Sequence, residues 1–448
     1  MKSQPIISVS GLRGIIGESL SPDLAADFVN AFCAGLPEGD ILIGRDGRAS
    51  GKMISAAIQA RLAGLGRNVI DADVAATPTI GILVRHHGCA GGVQISASHN
   101  PSQYNGIKLF NPQGQVLDAD AGQFVLDRYR LAEQPDWVTH ENIGATLCAA
   151  DTTTAHLERV LATVDQGAIQ KKSFRVLLDS NHGAGSRLGQ LLLETLGCQV
   201  ECLGGTPDGQ FAHPPEPTRE NLQTVSEAIV GGQYDIAFCQ DPDADRLAFI
   251  DENGRYPGEE YTLAICLDHV LQQNRGPIVT NCATSRMSAD LAAKYGVELH
   301  RSSVGEANVV QRMQSVKAVF GGEGNGGPID PRVGFVRDSF VGMALILDAL
   351  TADSRKISER VDAIPAYQIV KTKVELERDE VPQALDTLES HFEDAASDRM
   401  DGLRLDWDDR WLLIRGSNTE PIVRLIAEAS DAEQANSLCN EARVALGK

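Results

Sequence analysis

Short apolar runs alternate with polar turns and helix-like segments along the chain, and one order of elements occurs three times. Each copy begins with a short apolar run, passes through a polar turn into a helix-like segment, and ends with Gly before a second apolar run. Gly is the expected residue just past a helix, and strands alternating with helices of this length form parallel βαβ units. The copies, at residues 41–70, 175–200 and 277–299, therefore predict three related α/β domains with mixed sheets flanked by helices.

The C-terminal part of the chain follows a different pattern, with fewer glycines after residue 362. Its apolar runs predict a small α+β domain, in which residues 394–399 form a polar surface turn. We expect four domains around a central cleft, with boundaries at 1–148, 149–250, 251–361 and 362–448. The predicted C-terminal strands are 367–374, 403–407, 411–415 and 422–426, and the predicted helices are 381–392 and 432–446.

The composition predicts a soluble cytoplasmic protein of several domains. The chain has 448 residues, of which 42% are hydrophobic and 23% charged, and no apolar run approaches the ~20 residues of a membrane span. Its N-terminus lacks the long apolar stretch of a secretory signal, and its nine cysteines form no Cys-x-x-Cys pair, which suits buried thiols in a reducing compartment. The net charge of −21 argues against nucleic acid and favours small-molecule partners, with positive potential confined to a cleft.

The first candidate site is the segment at residues 95–101 together with the Asn-Gly-Ile-Lys that ends at Lys108. A hydroxyl, an imidazole and an ammonium at Ser98, His99 and Lys108 suit the binding or transfer of phosphate. An apolar run precedes the segment, and Asn-Pro and Asn-Gly are turn dipeptides, so we expect Ser98 at the tip of an exposed loop, where chemistry often lies. In the alternative interpretation, Ser98 and Asn100 only form local side-chain turns.

The second candidate is an acidic loop, Asp-Pro-Asp-Ala-Asp-Arg, at residues 241–246 between two apolar runs. Carboxylates between buried strands are costly without a cation, and oxygen ligands select a hard metal such as Mg²⁺. We therefore predict a metal site at Asp241, Asp243 and Asp245 rather than a solvated acidic turn. An EF-hand calcium loop is excluded because Arg246 stands where that loop needs Gly. A haloacid-dehalogenase-type phosphatase fits less well, since it expects Thr or Val in place of Asp245.

The third candidate is the glycine-rich segment at residues 321–327, which contains a formal Gly-x-Gly-x-x-Gly. A dinucleotide fingerprint must open a helix, whereas Pro328 and Pro331 follow here. A loop that brings Glu323 and Asn325 close to a polyhydroxyl ligand is the preferred interpretation, because glycines let ligand and backbone approach. A purely structural turn is the alternative.

The fourth candidate is Arg-Gly-Ser-Asn-Thr-Glu-Pro at residues 415–421, with Arg424 in the strand that follows. Two guanidinium groups, with hydroxyl, amide and backbone N–H donors between them, suit a phosphate monoester dianion. In the alternative interpretation, Arg415 and Arg424 are surface charges paired with Glu420 or Glu428.

In this order, the four segments resemble the motifs of the α-D-phosphohexomutase family along essentially the whole chain. Residues 96–101 match the family's Ser/Thr-x-Ser-His-Asn-Pro serine loop, and residues 241–246 match its Asp-x-Asp-x-Asp-Arg metal loop. Residues 322–326 align with its Gly-Glu-x-Ser-Gly sugar loop, and residues 415–421 match its Arg-x-Ser-x-Thr-Glu-Pro phosphate loop. The Ser-Gly-Leu-Arg-Gly at residues 10–14 is similar to the family's N-terminal Gly-Ile-Arg-Gly.

The resemblance implies a mutase that carries phosphate on Ser98 as a phosphoserine. The phosphoryl group would pass to a sugar phosphate, giving a hexose 1,6-bisphosphate that turns around and rephosphorylates the serine. Mg²⁺ would be held by Asp241, Asp243 and Asp245 with a phosphoryl oxygen of Ser98. Arg13, His99, Lys108 and Arg246 would surround the transferring group, with Lys108 or His99 as acid or base; Glu323 and Asn325 would read sugar hydroxyls; and Arg415, Ser417, Asn418, Thr419 and Arg424 would hold the other phosphate.

The implied substrate is a hexose phosphate. The segments at 95–98 and 105–110 are most similar to those of phosphoglucosamine mutases, and the sugar loop has Asn325 and Gly327 where the family commonly has Ser and His. We expect a monomer or homodimer that interconverts glucosamine 6-phosphate and glucosamine 1-phosphate, with mannose or glucose phosphates as the alternative substrates. A metal-dependent sugar phosphatase and a non-catalytic sugar-phosphate sensor remain as hypotheses of other classes.

Overall fold

The computed structural model describes residues 4–132, 134–416 and 421–448. Four separate sheets are present, and each belongs to one of the predicted domains. The predicted fold class, three α/β domains followed by an α+β domain, is confirmed. Within the described ranges, every helix is too short or too polar to cross a membrane.

The first domain is built on a seven-stranded mixed sheet. Its strands are β1 (Ile6–Ser8), β2 (Gly11–Ile15), β3 (Ile41–Arg45), β4 (Val69–Val74), β5 (Gly91–Ile95), β6 (Tyr104–Phe110) and β7 (Thr146–Cys148), and its helices are α1 (Pro22–Cys33), α2 (Gly51–Gly64), α3 (Thr77–His87) and α4 (Ala119–Leu131). The strand order is β1-β2-β6-β5-β3-β4-β7. Strands β5 and β6 are antiparallel neighbours near the middle of the sheet, so the loop that joins them, which contains Ser98, has a rigid base.

The second and third domains share one plan, three parallel strands with an antiparallel strand at one edge. The second contains β8 (Arg175–Asp179), β9 (Gln199–Leu203), β10 (Ile236–Gln240) and β11 (Leu247–Asp251), with α5 (Thr154–Leu161), α6 (Gln166–Lys172), α7 (Ser186–Thr195) and α8 (Gln223–Gly232). The third contains β12 (Ile278–Asn281), β13 (Leu299–Ser302), β14 (Phe320–Glu323) and β15 (Gly327–Ile329), with α9 (Glu260–Gln273), α10 (Met287–Tyr295), α11 (Glu306–Val316), α12 (Ser339–Ala349) and α13 (Ile357–Asp362). The sheet orders are β11-β10-β8-β9 and β13-β12-β14-β15. Helix α12 is buried along its whole length and contacts α7 and α9, so the two domains share one apolar core.

The three predicted strand–helix–strand copies are β3-α2-β4, β8-α7-β9 and β12-α10-β13, and the two strands of each copy pair in parallel. Gly66, Gly197 and Gly296 follow the three helices with φ of 76°, 76° and 66°, which confirms their predicted role at the helix ends. The second strand of each copy extends past its predicted end, to Val74, Leu203 and Ser302. The last of these strands, β13, begins only at Leu299, after the turn that Gly296 makes.

The C-terminal domain is a five-stranded antiparallel sheet covered by two helices. It contains β16 (Gln368–Glu375), β17 (Ala396–Asp398), β18 (Leu403–Asp406), β19 (Trp411–Gly416) and β20 (Ile422–Ala429), with α14 (Val381–His391) and α15 (Ala432–Ala445), in the order β16-β20-β19-β18-β17. The expected surface turn at 394–399 is wrong, because Ser397 pairs with Leu405 in β17. The strand is exposed at the sheet edge, where polar residues are favoured, so its composition resembles that of a turn.

The nine cysteines are free thiols, and most are buried as expected. Cys202 is half-buried, and Cys148 is exposed because it lies on β7 at the edge of the first sheet. The expectation of buried thiols is therefore wrong for Cys148.

Candidate active site

Ser98 lies in the loop after β5, and it is buried. It is 1% exposed, because the acidic loop of the second domain covers it, and its Oγ donates a hydrogen bond to Asp241 Oδ2 at 2.8 Å. The expectation of an exposed loop tip is therefore wrong. Ser98 has φ of 50°, a conformation that is costly for residues other than glycine and that concentrates at functional sites.

Arg48 holds the serine loop in place, although no sequence pattern singled it out. Its guanidinium donates to the carbonyl oxygens of Ser98, Asn100 and Pro101, each at 2.6 Å. Arg48 also pairs with Asp46 at 3.0 Å, and both side chains are buried. Because three carbonyls accept from one charged group, the loop is fixed in a single conformation. The polar turn after β3 was recognised only as a turn, since its contact with a loop 50 residues away leaves no local signal.

The three predicted metal ligands converge next to Ser98. Asp241, Asp243 and Asp245 follow β10 and are fully buried, and they offer oxygens that all lie within 4.8 Å of one another. Oδ1 of Asp243 and Oδ1 of Asp245 accept no hydrogen bond from any described residue. Oxygen donors with two unused, buried atoms fit a hard divalent cation such as Mg²⁺. The cluster can therefore hold a metal.

Two buried cations partly compensate these carboxylates. Lys108 Nζ lies 2.9 Å from Asp243 and 2.6 Å from Asp245, and Arg337 Nη2 lies 2.6 Å from Asp245. Burial and the charges of Asp243 and Asp245 raise the pKa of Asp241 well above its usual range. Burial also disfavours the charges of Asp243 and Lys108, but their mutual attraction outweighs it, lowering the pKa of Asp243 and raising that of Lys108. Among the described residues, Asp243 and Asp245 pair with a Lys or Arg side chain, whereas Asp241, beside Ser98, forms no such ion pair.

Arg337 joins the acidic loop to the glycine-rich loop, and sequence reasoning missed it. Its guanidinium contacts Asp245 at 2.6 Å, Glu323 at 2.9 Å and Glu306 at 3.3 Å. Arg337 itself is 8% exposed, so one buried cation connects three buried carboxylates of two domains. It belongs to no recognisable motif, and Asp245 lies 92 residues away in the sequence.

His99, Arg13 and Arg246 lie around the serine and the metal loop. His99 Nδ1 is 3.3 Å from Ser98 Oγ, and burial together with the charges of Arg246 and Arg13 lowers the pKa of His99 to about 3, so the imidazole is neutral. The backbone N–H of Arg246 donates to Asp241 Oδ1 at 3.1 Å, and its buried Nε has no partner among the described residues. Burial also lowers the pKa of Arg13, on β2. These groups can stabilise an anion beside Ser98.

The glycine-rich loop leads from β14 into β15 and not into a helix, which confirms that it is not a dinucleotide fingerprint. Glu323 is buried; its Oε1 accepts from Asn281 at 2.7 Å and from the N–H of Gly305 at 3.1 Å, while its Oε2 accepts from Arg337. A carboxylate has about four lone-pair sites, so Glu323 keeps one for a ligand. Asn325 is half-buried, and its Oδ1 has no partner within the described ranges.

Arg415 and Arg424 lie opposite each other on β19 and β20, and Lys373 of β16 lies opposite Arg424 on its other side. Directly opposed residues share a face of the sheet, so the three side chains form a row of cations, the cation row. Arg415 Nε lies 2.9 Å from Asp401, whereas Glu428 is fully buried, so the expected alternative pairing with Glu428 is wrong. Neighbouring like charges destabilise a sheet, and an anion bound at the row would offset that cost.

The remaining predicted phosphate-binding residues, Ser417, Asn418 and Thr419, lie outside the described residues, as does Glu420. Among the described residues, Arg415 and Arg424 form no hydrogen bond or ion pair with Ser98 or the three aspartates. Within the described ranges, the cation row is therefore not joined to the serine or to the three aspartates by any polar contact.

Four domains that place a buried serine beside a carboxylate cluster, with a row of cations on the last domain, define an enzyme of the phosphohexomutase class. Residues 5–135, 154–254 and 258–367 match the family models for phosphoglucomutase/phosphomannomutase alpha/beta/alpha domains I, II and III, and residues 370–444 match that for the C-terminal domain. The chain belongs to the phosphoglucomutase/phosphomannomutase family.

Individual relatives agree with this assignment. A Thermococcus kodakarensis protein named phosphoglucomutase/phosphomannomutase is 36% identical over 433 residues, which are 95% of this chain and 94% of that protein. A phosphoglucosamine/phosphogalactosamine mutase of Sulfurisphaera tokodaii is 30% identical over 447 residues, 97% of this chain and 98% of that protein. The crystal structure of a family member from Burkholderia thailandensis has a TM-score of 0.85 at 26% identity and covers 100% of this chain and 98% of that one. The protein is thus an isomerase with phosphohexomutase activity.

Mg²⁺ should stabilise the protein through the three aspartates. A ligand that binds only the folded state adds about 2.7 kcal/mol at a concentration of 100 times its Kd, so the unfolding temperature should rise with MgCl₂. The Asp243→Asn variant should lose most of this shift, because it removes a charge from the cluster, whereas Asp136→Asn, at an exposed position, should keep it. Thermal unfolding across a MgCl₂ series measures the effect, and equal shifts in all three proteins would contradict a site at these residues.

Proposed function

We propose that this enzyme interconverts hexose 6-phosphates and hexose 1-phosphates through a phosphoserine at Ser98 and a hexose 1,6-bisphosphate, with glucosamine phosphate as its preferred substrate. The observation that carries the proposal is the 2.8 Å hydrogen bond from Ser98 Oγ to Asp241, within the carboxylate cluster. Mg²⁺ bound by Asp241, Asp243 and Asp245 would neutralise charge on a phosphoryl group at this oxygen. The choice of glucosamine is supported by the serine-loop resemblance and by the name of the Sulfurisphaera tokodaii relative; mannose and glucose phosphates are the alternatives.

In the proposed reaction, a hydroxyl oxygen of the bound sugar phosphate bonds to phosphorus while the bond from phosphorus to Ser98 Oγ breaks. The proton lost by the hydroxyl replaces the phosphoryl group on Ser98. His99 is neutral and 3.3 Å from Ser98 Oγ, so it is placed to exchange this proton. Lys108 is held between Asp243 and Asp245 and acts as a fixed positive charge. Of the two acid–base candidates, these contacts favour His99.

The reaction also needs an anchor for the phosphate that is not being transferred. The cation row supports such an anchor on the C-terminal domain, since guanidinium groups bind phosphate dianions well. The bisphosphate intermediate carries a phosphate at each end, so one anchor can hold either end as the sugar turns around. In the proposal Arg415, Ser417, Asn418, Thr419, Arg424 and Lys373 hold this phosphate, and Glu323 and Asn325 read the sugar hydroxyls.

Replacing Arg424 by alanine should raise KM for hexose phosphates by about 10- to 100-fold, the usual effect of losing a charged hydrogen bond, with a smaller change in kcat. The matched control is Arg410→Ala, which removes a half-buried cation of the same domain that lies 3.7 Å from Asp409 and over the ring of Trp407. Steady-state kinetics of both variants measure the effect. Equal KM values for the Arg424 variant and the unmodified enzyme would remove the cation row from the proposal.

The substrate is tested by assaying glucosamine, mannose and glucose 6-phosphates side by side with Mg²⁺ and a catalytic amount of the matching 1,6-bisphosphate. We expect the highest kcat/KM with glucosamine 6-phosphate. Comparable values for all three would contradict the glucosamine assignment and leave the mutase reaction intact, whereas phosphate release without isomerisation would contradict the reaction itself.

A further inference from the structure

A cavity of about 340 Å³ lies where the second, third and fourth domains meet, and its wall has more acidic than basic side chains. Glu216, at its edge, lies 3.9 Å from Arg246 of the metal loop, so the cavity adjoins the candidate active site. The proposed reaction described above uses none of its carboxylates. The acidic residues that line the cavity are Glu216, Glu220, Glu259, Glu260 and Glu428, and the cations are Arg219 and Lys371.

Glu260, the first residue of α9, brings its carboxylate against the sugar-binding loop. A side chain at Gly324 would overlap this carboxylate, so the absence of a Cβ in the loop is what allows the approach. Glu260 Oε2 accepts from the N–H of Ser285 at 3.0 Å. The nearby cation Lys371 is 3.1 Å from Glu259, so it forms its ion pair there. Burial raises the pKa of Glu260 to about 8, as expected for a carboxylate that lacks a close cation.

Glu428 is a second, independent sign that the cavity receives a donor. It lines the cavity and is 0% exposed. Its Oε1 accepts from the N–H of Arg286 at 2.9 Å and from Trp411 Nε1 at 2.7 Å. Its Oε2 has no partner at hydrogen-bond geometry in the described part of the chain; burial raises the pKa of Glu428, and the nearby Ser285 hydroxyl offsets only part of that rise. One oxygen of Glu260 and one of Glu428 therefore accept from backbone N–H groups at the N-terminus of α10. Oε1 of the half-buried Glu260 and the buried Oε2 of Glu428 remain as acceptors, and a buried acceptor without a partner is costly.

We propose that Glu260, assisted by Glu428, binds the amino group of 2-amino-2-deoxyhexose phosphates. An ammonium group has three donors and no acceptor, which complements two carboxylates with unused oxygens. A hydroxyl at the same carbon offers a single donor and no charge, so hexose phosphates without an amino group gain less from these carboxylates. This inference rests on the proposed function, which orients the sugar along the Gly322–Gly326 loop. It assigns to Glu260 the discrimination between amino sugars and other hexoses.

The test measures binding rather than turnover. Glucosamine 6-phosphate and glucose 6-phosphate are titrated by calorimetry into the full-length Ser98→Ala protein and into the same protein carrying Glu260→Gln. We expect Glu260→Gln to weaken glucosamine 6-phosphate binding by about 10- to 100-fold and glucose 6-phosphate binding by less than about threefold. Glu298→Gln, which removes an exposed charge from the same domain, is the matched control and should change neither affinity.

Glucose 6-phosphate also reports whether the variant is folded, because a structural defect would weaken both ligands equally. Equal losses for both sugars, an unchanged glucosamine affinity, or no binding of glucosamine 6-phosphate by the parent protein would overturn the role of Glu260. If the unmodified enzyme turns over glucose or mannose phosphates faster while Glu260→Gln selectively weakens glucosamine 6-phosphate binding, this result would contradict the preferred substrate and support the role of Glu260. If glucosamine phosphate is turned over fastest but Glu260→Gln weakens both ligands alike, the preferred substrate is supported and the role of Glu260 is contradicted.

Discussion

Replacing Ser98 by alanine should abolish mutase turnover, lowering kcat by at least about 10⁴-fold, the scale seen when a covalent nucleophile is removed. Ser98 supplies the hydroxyl that donates to Asp241, so the variant lacks the oxygen that is proposed to carry the phosphoryl group. A coupled assay with Mg²⁺ and hexose 1,6-bisphosphate measures the loss. Intact-mass spectrometry should find a phosphoryl adduct on the unmodified enzyme and none on the variant.

The matched control for this experiment is Ser102→Ala, because Ser102 lies exposed on the same loop. It should retain activity and the adduct. An adduct that survives in the Ser98 variant and is removed by hydroxylamine would place the phosphate on an aspartate instead, as in an aspartyl-phosphate hydrolase. That result would contradict the role of Ser98 while leaving the metal cluster in place.

Replacing Arg337 by methionine should destabilise the protein by about 3 to 5 kcal/mol, the usual cost of leaving buried charges without their partner. The change leaves Asp245, Glu306 and Glu323 buried without the guanidinium that they share. Because a chain of several domains does not unfold in two states, the effect should be measured as the shift of the first urea or thermal transition. Mg²⁺ should restore part of the loss, since a cation beside Asp245 replaces part of the missing charge.

Arg355→Met is the matched control, because Arg355 is half-exposed and pairs with Asp353 at the surface. Such pairs contribute about 0 to 1 kcal/mol, so its transition should hardly move. Equal shifts for the two variants would show that the Arg337 network adds little to stability. Arg337→Lys keeps the charge but cannot reach three carboxylates at once, and it should lie between the two.

The repeats and motifs were predictable because their signals are local. A glycine at positive φ ends each repeated helix, as Gly66, Gly197 and Gly296 show, and a few residues suffice to encode such a turn. The acidic loop was equally readable, since three carboxylates between apolar strands imply a cation whatever surrounds them. The order of the four candidate loops then indicated the family, which the domain matches confirm.

What the sequence did not reveal depends on contacts between distant segments. Ser98 was expected at an exposed tip because its own loop is polar, and the covering loop comes 143 residues later. Arg48 was missed because it meets the serine loop only through side-chain hydrogen bonds across 50 residues, and Lys373 was missed because only strand pairing places it beside Arg424. Strand β17 was missed for a different reason, since an edge strand with exposed side chains has the composition of a turn.

In the proposed site, the guanidinium of Arg337 would link two binding events thermodynamically. A cation bound at Asp245 and a sugar bound at Glu323 would each change the interaction of that carboxylate with the same guanidinium. Linkage is reciprocal, so whatever factor Mg²⁺ applies to the affinity for a sugar phosphate, the sugar phosphate must apply to the affinity for Mg²⁺. The metal requirement of this enzyme should therefore depend on which sugar occupies its cleft.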